Sequence, residues 1–157
     1  MGKIGVDFKD LKKHYDRVLV RKFKDMKDRF KNSSNVVGNP VIYRVFMNDF
    51  LGFESGLTVI EPGAVNGEFY MTMGHKHVKP TREIYILLSG NGKLLIQGKK
   101  SKVYDLKKDK VFILPKSEGH RLINTGNTKL EVLTIYSKDA GHDYGFSFEK
   151  AKRFFRK

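Results

Sequence analysis

Five histidines occur in this chain, and three of them, His75, His77 and His120, fall where strand geometry would aim them at one place. His75 and His77 close a run, 68–77, in which Phe69, Met71 and Met73 alternate with other residues. Side chains two apart on a strand share a face, so both imidazoles should join these apolar residues and look inward. Five residues including Pro80 separate His77 from Glu83, enough chain to turn and begin the next strand. His120 opens a later strand, after Phe112, Ile113, Leu114 and Pro115. Three imidazoles and one carboxylate converging inside a barrel suit a divalent transition metal, with positions left open for substrate or water. The competing reading has the same histidines hydrogen bonded at strand ends.

A fold that positions such residues is legible in the texture of the chain. From Val41 onward short apolar runs are separated by turn residues, which predicts strands at 41–47, 56–61, 68–77, 83–88, 92–97, 102–106, 111–114, 120–124 and 130–136. Glu61-Pro62-Gly63, Ser89-Gly90-Asn91-Gly92, Gly98 and Asn124-Thr125-Gly126-Asn127 punctuate them. Short strands without long intervening helices imply an antiparallel barrel or jelly roll rather than a parallel α/β fold. Residues 7–30 read differently. Phe8, Leu11, Tyr15, Val18, Leu19, Phe23, Met26 and Phe30 recur at spacings of three and four, which predicts an amphipathic helix, although Val18-Leu19-Val20 also suits a strand. The expected organisation is an N-terminal, partly helical extension (1–38), a barrel (39–148) and a basic C-terminal tail (149–157).

Composition narrows the function classes. The chain has 157 residues with 31 Lys plus Arg against 17 Asp plus Glu, a formal charge of +14. One domain of this length buries roughly 70% of its unfolded surface, so it needs no metal or disulfide staple to hold its core. Cysteine is absent, which excludes disulfides, thiolate metal sites and cysteine nucleophiles, and which is compatible with the cytoplasm. Met1 to Asp7 lacks the apolar core of a signal peptide, and the longest strongly apolar run, Ile84 to Leu88, is far short of the twenty or so residues that span a membrane. Aspartates are interleaved with the lysines, so the charge reads as a solvated surface that attracts anions. No arginine-rich run or RNA-binding signature accompanies it.

The motifs resemble those of the cupin superfamily. His75-Lys76-His77, Glu83 and Gly90 match its first motif, and Pro115, His120 and Asn124 its second. Departures fall in turns: five residues lie between His77 and Glu83, the first motif's leading glycine is displaced, and Ser117 stands where glycine is usual. More specifically, Asp139-Ala140-Gly141-His142-Asp143-Tyr144-Gly145 is similar to a segment of the cupin-type glucose-6-phosphate isomerases of archaea and some bacteria. Gly67 to His75 and Asn39 to Tyr43 are similar to the same family.

That resemblance implies a mostly β, single-domain cupin barrel, active as a homodimer in interconverting glucose 6-phosphate and fructose 6-phosphate. By motif position His75, His77, Glu83 and His120 would hold one divalent ion, with iron, manganese or nickel as the metals the family brings to mind. Thr58, Thr72 and the backbone of Gly74 would hold the phosphate with help from Tyr43, and Tyr85, His142 and Tyr144 would face the sugar. Glu83, His142 and Tyr144 are then the candidate catalytic residues. Moving hydrogen between carbons 1 and 2 suits a metal that polarises two neighbouring oxygens, with either a carboxylate-borne proton or a hydride shift. Two rival readings share the same motifs: a metallocupin acting on another sugar or sugar phosphate, and a cupin that binds metal or ligand without turnover.

Overall fold

Alternation decides most of the chain beyond residue 40, because each strand buries one face and its turns are written in Gly, Pro and Asn. A computed structural model describes residues 7–50, 52–148 and 151–157. In chain order these form β1 (Arg17–Lys22), a 3₁₀ helix (Phe23–Arg29), β2 (Val41–Phe50), β3 (Phe53–Ile60), β4 (Ala64–Val65), β5 (Glu68–Phe69), β6 (Lys76–His77) and β7 (Glu83–Ser89). Then come β8 (Gly92–Gln97), β9 (Ser101–Asp105), β10 (Val111–Ile113), β11 (Gly119–Asn124), β12 (Leu130–Ser137) and β13 (His142–Asp143). A six-stranded sheet runs β1-β2-β3-β12-β7-β10 and a three-stranded sheet runs β11-β8-β9. The pairings are antiparallel, which makes the molecule the expected mostly β jelly-roll barrel.

The strand expected over 68–77 is broken in the middle yet still runs alongside β11. Thr72 N donates to Leu122 O, and the amides of His75 and His120 exchange hydrogen bonds with each other's carbonyls, so the second sheet is widened by this segment. Met71, Leu87, Leu94, Leu122, Leu130 and Val132 are buried in the main core cluster. Leu57, Val59 and Leu133 form a second cluster, which Leu11 covers.

The helix expected over residues 7–30 does not form as one element. Hydrogen-bonded turns occupy residues 8–13, and then β1 pairs with β2 in register from Arg17 opposite Met47 to Arg21 opposite Tyr43. Two β-branched residues, Val18 and Val20, favour the extended chain, and ladder hydrogen bonds to β2 outweigh the helical spacing. Helix survives only as the 3₁₀ turn, where Phe23 and Met26, three residues apart, are both buried.

The first six residues, and the first two of the basic C-terminal tail, lie outside the described residues. From Ala151 on, the tail lies against β5: Phe155 bridges Glu68, Arg156 N donates to Gly67 O, and Arg153 Nη1 meets Glu68 Oε1 at 2.8 Å.

Asn124, matched above to the second motif, is a structural clamp. It is fully buried, its Nδ2 donates to the carbonyls of Ile60, Glu61 and Thr128, and its Oδ1 accepts from Gly126 N at 3.0 Å. Asn124→Ala leaves buried carbonyls without donors, and urea unfolding should show a loss of about 3 kcal/mol in stability.

Candidate metal centre and substrate cavity

Four side chains from three stretches of chain meet inside the barrel. β6 and the residue before it carry His77 and His75, β7 opens on Glu83, and β11 carries His120. One ligand atom from each lies within 4.8 Å of all the others. The Nε2 atoms of His77 and His120 stand 3.2 and 3.0 Å from Glu83 Oε2, and His120 Nε2 stands 3.0 Å from His75 Nε2. Glu83, His77 and His120 are almost completely buried.

The outward nitrogens explain what the inward ones can do. His120 Nδ1 lies 3.2 Å from the carbonyl of Glu118, and His77 Nδ1 lies 3.0 Å from Thr81 Oγ1 and 3.4 Å from Thr81 O. A carbonyl only accepts, so Nδ1 carries the proton in the neutral form of both rings, and in that form each Nε2 offers a lone pair to a metal. The five-residue link between His77 and Glu83 is what brings Thr81 back onto the imidazole. Burial and the neighbouring His120 hold the His75 imidazole down to about 2, so His75 is neutral.

In the neutral form of His77 and His120 two lone pairs face a carboxylate, and among the described residues neither His77 Nε2 nor Glu83 Oε2, both buried, has a hydrogen-bond partner. Acceptors gathered in this way repel one another unless a cation joins them. Donor atoms about 2.1 Å from one ion and at right angles to each other stand about 3 Å apart, the spacing of the three pairs just given. The donor set fits a divalent transition metal.

Beyond this cluster the inner face of the six-stranded sheet lines a cavity of about 280 Å³. Every residue singled out from the sequence for substrate lies on it: Tyr43, Thr58, Thr72, Gly74, Tyr85, His142 and Tyr144, together with His75, Glu83 and His120. Register produces this convergence, since Val45 pairs with Thr58, and Thr134 with Tyr85. Gly74 has φ of +75°, and a Cβ there would lie 2.7 Å from the Phe148 ring, so the position requires glycine. Tyr43 hydroxyl accepts from Met73 N at 3.4 Å. Burial pushes that phenol up to about 12, against the opposing pull of the Met73 amide and Arg21.

The seven-residue segment 139–145 closes one side. β13 pairs with β6, placing His142 opposite His77, and the ring centroids of His142 and Tyr144 lie 4.4 and 5.5 Å from that of His75. Burial holds the His142 imidazole below its ordinary value and keeps the phenols of Tyr85 and Tyr144 protonated by raising theirs. Ser117, the departure from glycine in the second motif, adopts φ of +62°, so the turn keeps the left-handed backbone at a steric cost.

Sequence reasoning missed five polar residues of this cavity: Arg17, Arg21, Glu54, Thr134 and Tyr136. Glu54 accepts hydrogen bonds from the Tyr136 hydroxyl and from Arg17. A signal existed for β1, because Arg17, Leu19 and Arg21 alternate with Val18 and Val20, but the helical spacing of the flanking residues masked it.

Comparison with known proteins agrees with this geometry. A profile of the family described as glucose-6-phosphate isomerase (GPI) matches residues 43–152. The chain is 37% identical over 143 residues to a glucose-6-phosphate isomerase of Thermococcus litoralis, covering 83% of this chain and 75% of that one. Identity to the Pyrococcus horikoshii glucose-6-phosphate isomerase is 35% over 159 residues, covering 94% and 84%. Among solved structures, the oxalate decarboxylase of Lactobacillus farciminis superposes with a TM-score of 0.56 at 18% identity, covering 80% of this chain and 41% of that one. An oxalate decarboxylase mutant from Bacillus subtilis gives 0.52 at 24%, covering 64% and 27%. These structural likenesses speak to the cupin fold alone. The sequence matches go further, since they run through both histidine-bearing strands and the segment that closes the cavity, and they make this chain a member of the cupin-type glucose-6-phosphate isomerase family.

Proposed function

We propose that this cavity interconverts glucose 6-phosphate and fructose 6-phosphate, with His75, His77, Glu83 and His120 holding one divalent ion: iron, manganese or nickel. The observation that carries the reading is the pair of buried atoms, His77 Nε2 and Glu83 Oε2, unpartnered among the described residues, with Glu83 lining a cavity that also presents Thr58, Thr72 and Gly74. A bound ion supplies Lewis-acid polarisation of the oxygens on carbons 1 and 2. The chain's own groups do the rest. Glu83 is the carboxylate beside the reacting carbons and carries a proton between them. Tyr85 and Tyr144, protonated, donate to sugar oxygens, and neutral His142 serves as donor or acceptor at the ring hydroxyls. Threonine hydroxyls, the Tyr43 phenol and the Gly74 amide hold the phosphate and so fix the sugar's orientation.

Purified protein given fructose 6-phosphate, with and without added iron, manganese or nickel, should yield glucose 6-phosphate in a metal-dependent way; no product under any metal sinks the reading. Phosphate contacts should dominate recognition, so unphosphorylated fructose should react at least about 100-fold less efficiently in kcat/KM, from charge-assisted hydrogen bonds of about 1.5–3 kcal/mol each. Equal specificity constants for the two sugars would refute the phosphate pocket.

A homodimer belongs to the same proposal. β1 is an edge strand whose Val18 and Val20 are exposed, an apolar edge that self-association would cover. Sedimentation equilibrium tests this. A cytoplasmic location fits the cysteine-free composition, and no helix among the described residues is long and apolar enough to cross a membrane.

A further inference from the structure

The groups expected to hold phosphate, Thr58, Thr72, Gly74 and Tyr43, are all neutral, yet a phosphate monoester carries a charge of about −1.5 to −2 near neutral pH. A buried dianion held by neutral donors alone leaves much of its lost hydration uncompensated. The cavity wall contains two guanidinium groups on β1, and they differ in partnership. Arg17 is ion-paired with buried Glu54. Arg21 forms no ion pair with any carboxylate among the described residues. Its Nε is buried and has no hydrogen-bond partner among the described residues.

Its place is as informative as its charge. Arg21 is opposite Tyr43 in the β1–β2 register. The Tyr43 hydroxyl accepts from Met73 N, and Met73 lies between Thr72 and Gly74. On its other side the guanidinium stands 5.8 Å from the Tyr144 ring centroid. A cation with no carboxylate partner among the described residues thus lies at the end of the cavity where the neutral donors gather.

We infer that Arg21 is the cationic anchor of the substrate's phosphate, so that the N-terminal strand β1 completes the active site; this rests on the isomerase reading above. A guanidinium presents parallel N–H donors that match two phosphate oxygens, a geometry a lysine ammonium does not reproduce. Arg17 is excluded from the role by its pairing to Glu54.

The test compares Arg21→Gln and Arg21→Lys with the wild type. Steady-state kinetics on fructose 6-phosphate should show KM raised about 10- to 100-fold for Arg21→Gln, with kcat changed less than tenfold. The inhibition constant of inorganic phosphate should rise in parallel. Arg21→Lys, which keeps the charge and loses the fork, should weaken phosphate inhibition about three- to tenfold, and it preserves the test if the glutamine variant does not fold. Phosphate inhibition within twofold of wild type in every folded variant overturns the proposal, as does a fall in kcat with KM unchanged. Calorimetric titration of each protein with inorganic phosphate separates this from the reaction itself. A wild type that binds phosphate through Arg21 but converts no sugar phosphate would refute the isomerase reading and leave the anion site standing.

Discussion

Glu83→Gln is expected to lower turnover by about 10²- to 10⁴-fold while the protein still takes up its metal from excess solution, a loss of roughly 3 to 5 kcal/mol in transition-state stabilisation. Glutamine keeps the shape and one oxygen donor but can neither carry the proton nor supply the negative charge that Oε2 aims at His77 and His120, 3.2 and 3.0 Å away. Metal content and kcat must be measured on one preparation, because the two jobs of this carboxylate separate only there. If excess metal restores most of the rate, Glu83 is a ligand and the proton moves elsewhere. If the variant is both fully metallated and undiminished, neither role stands and the chemistry shifts toward His142 and Tyr144. Burial makes the experiment clean: the residue is 2% exposed, so solvent cannot substitute for the missing carboxylate.

His120→Ala should lower bound metal at least tenfold by elemental analysis and reduce activity by about 10³-fold or more, the several kcal/mol that a Lewis acid contributes. His120 would be a central ligand of the proposed site, since its Nε2 lies 3.0 Å from both His75 Nε2 and Glu83 Oε2. The fold should survive, because the pairing of this position with His75 is made by backbone groups that alanine retains. Circular dichroism and the urea midpoint check that point. A variant with wild-type metal content would show that the imidazole is not a ligand. Loss of activity with metal retained would place His120 in substrate handling instead.

What the sequence by itself determined is local. His75 and His77 share a face because of strand periodicity, Glu83 follows one turn later, and His120 starts a strand marked by Pro115, so the four donors could be named before any tertiary information. Most strand positions from Val41 onward, though not an unbroken strand over 68–77, were legible for the same reason, since period-two alternation and Gly, Asn and Pro turns act within a few residues. The segment from Asp139 to Gly145 was legible by its likeness to a family rather than by its physics. Its position over the cavity follows from the pairing of β13 with β6.

Tertiary structure alone decided the rest, because non-local pairing carries no signature in a single stretch of chain. Residues 7–30 have apolar spacings that fit a helix, and only the open edge of β2 turns Arg17–Lys22 into a strand. That pairing brings Arg17 and Arg21 into the cavity, where a helical reading would have left them on a solvated face. Glu54 and Tyr136, 82 residues apart, meet only because β3 and β12 are neighbours in register. The charge balance of the cavity, with Arg17 paired to Glu54 and Arg21 without a carboxylate partner among the described residues, is therefore a property of the sheet order, which depends on contacts that local periodicity cannot express.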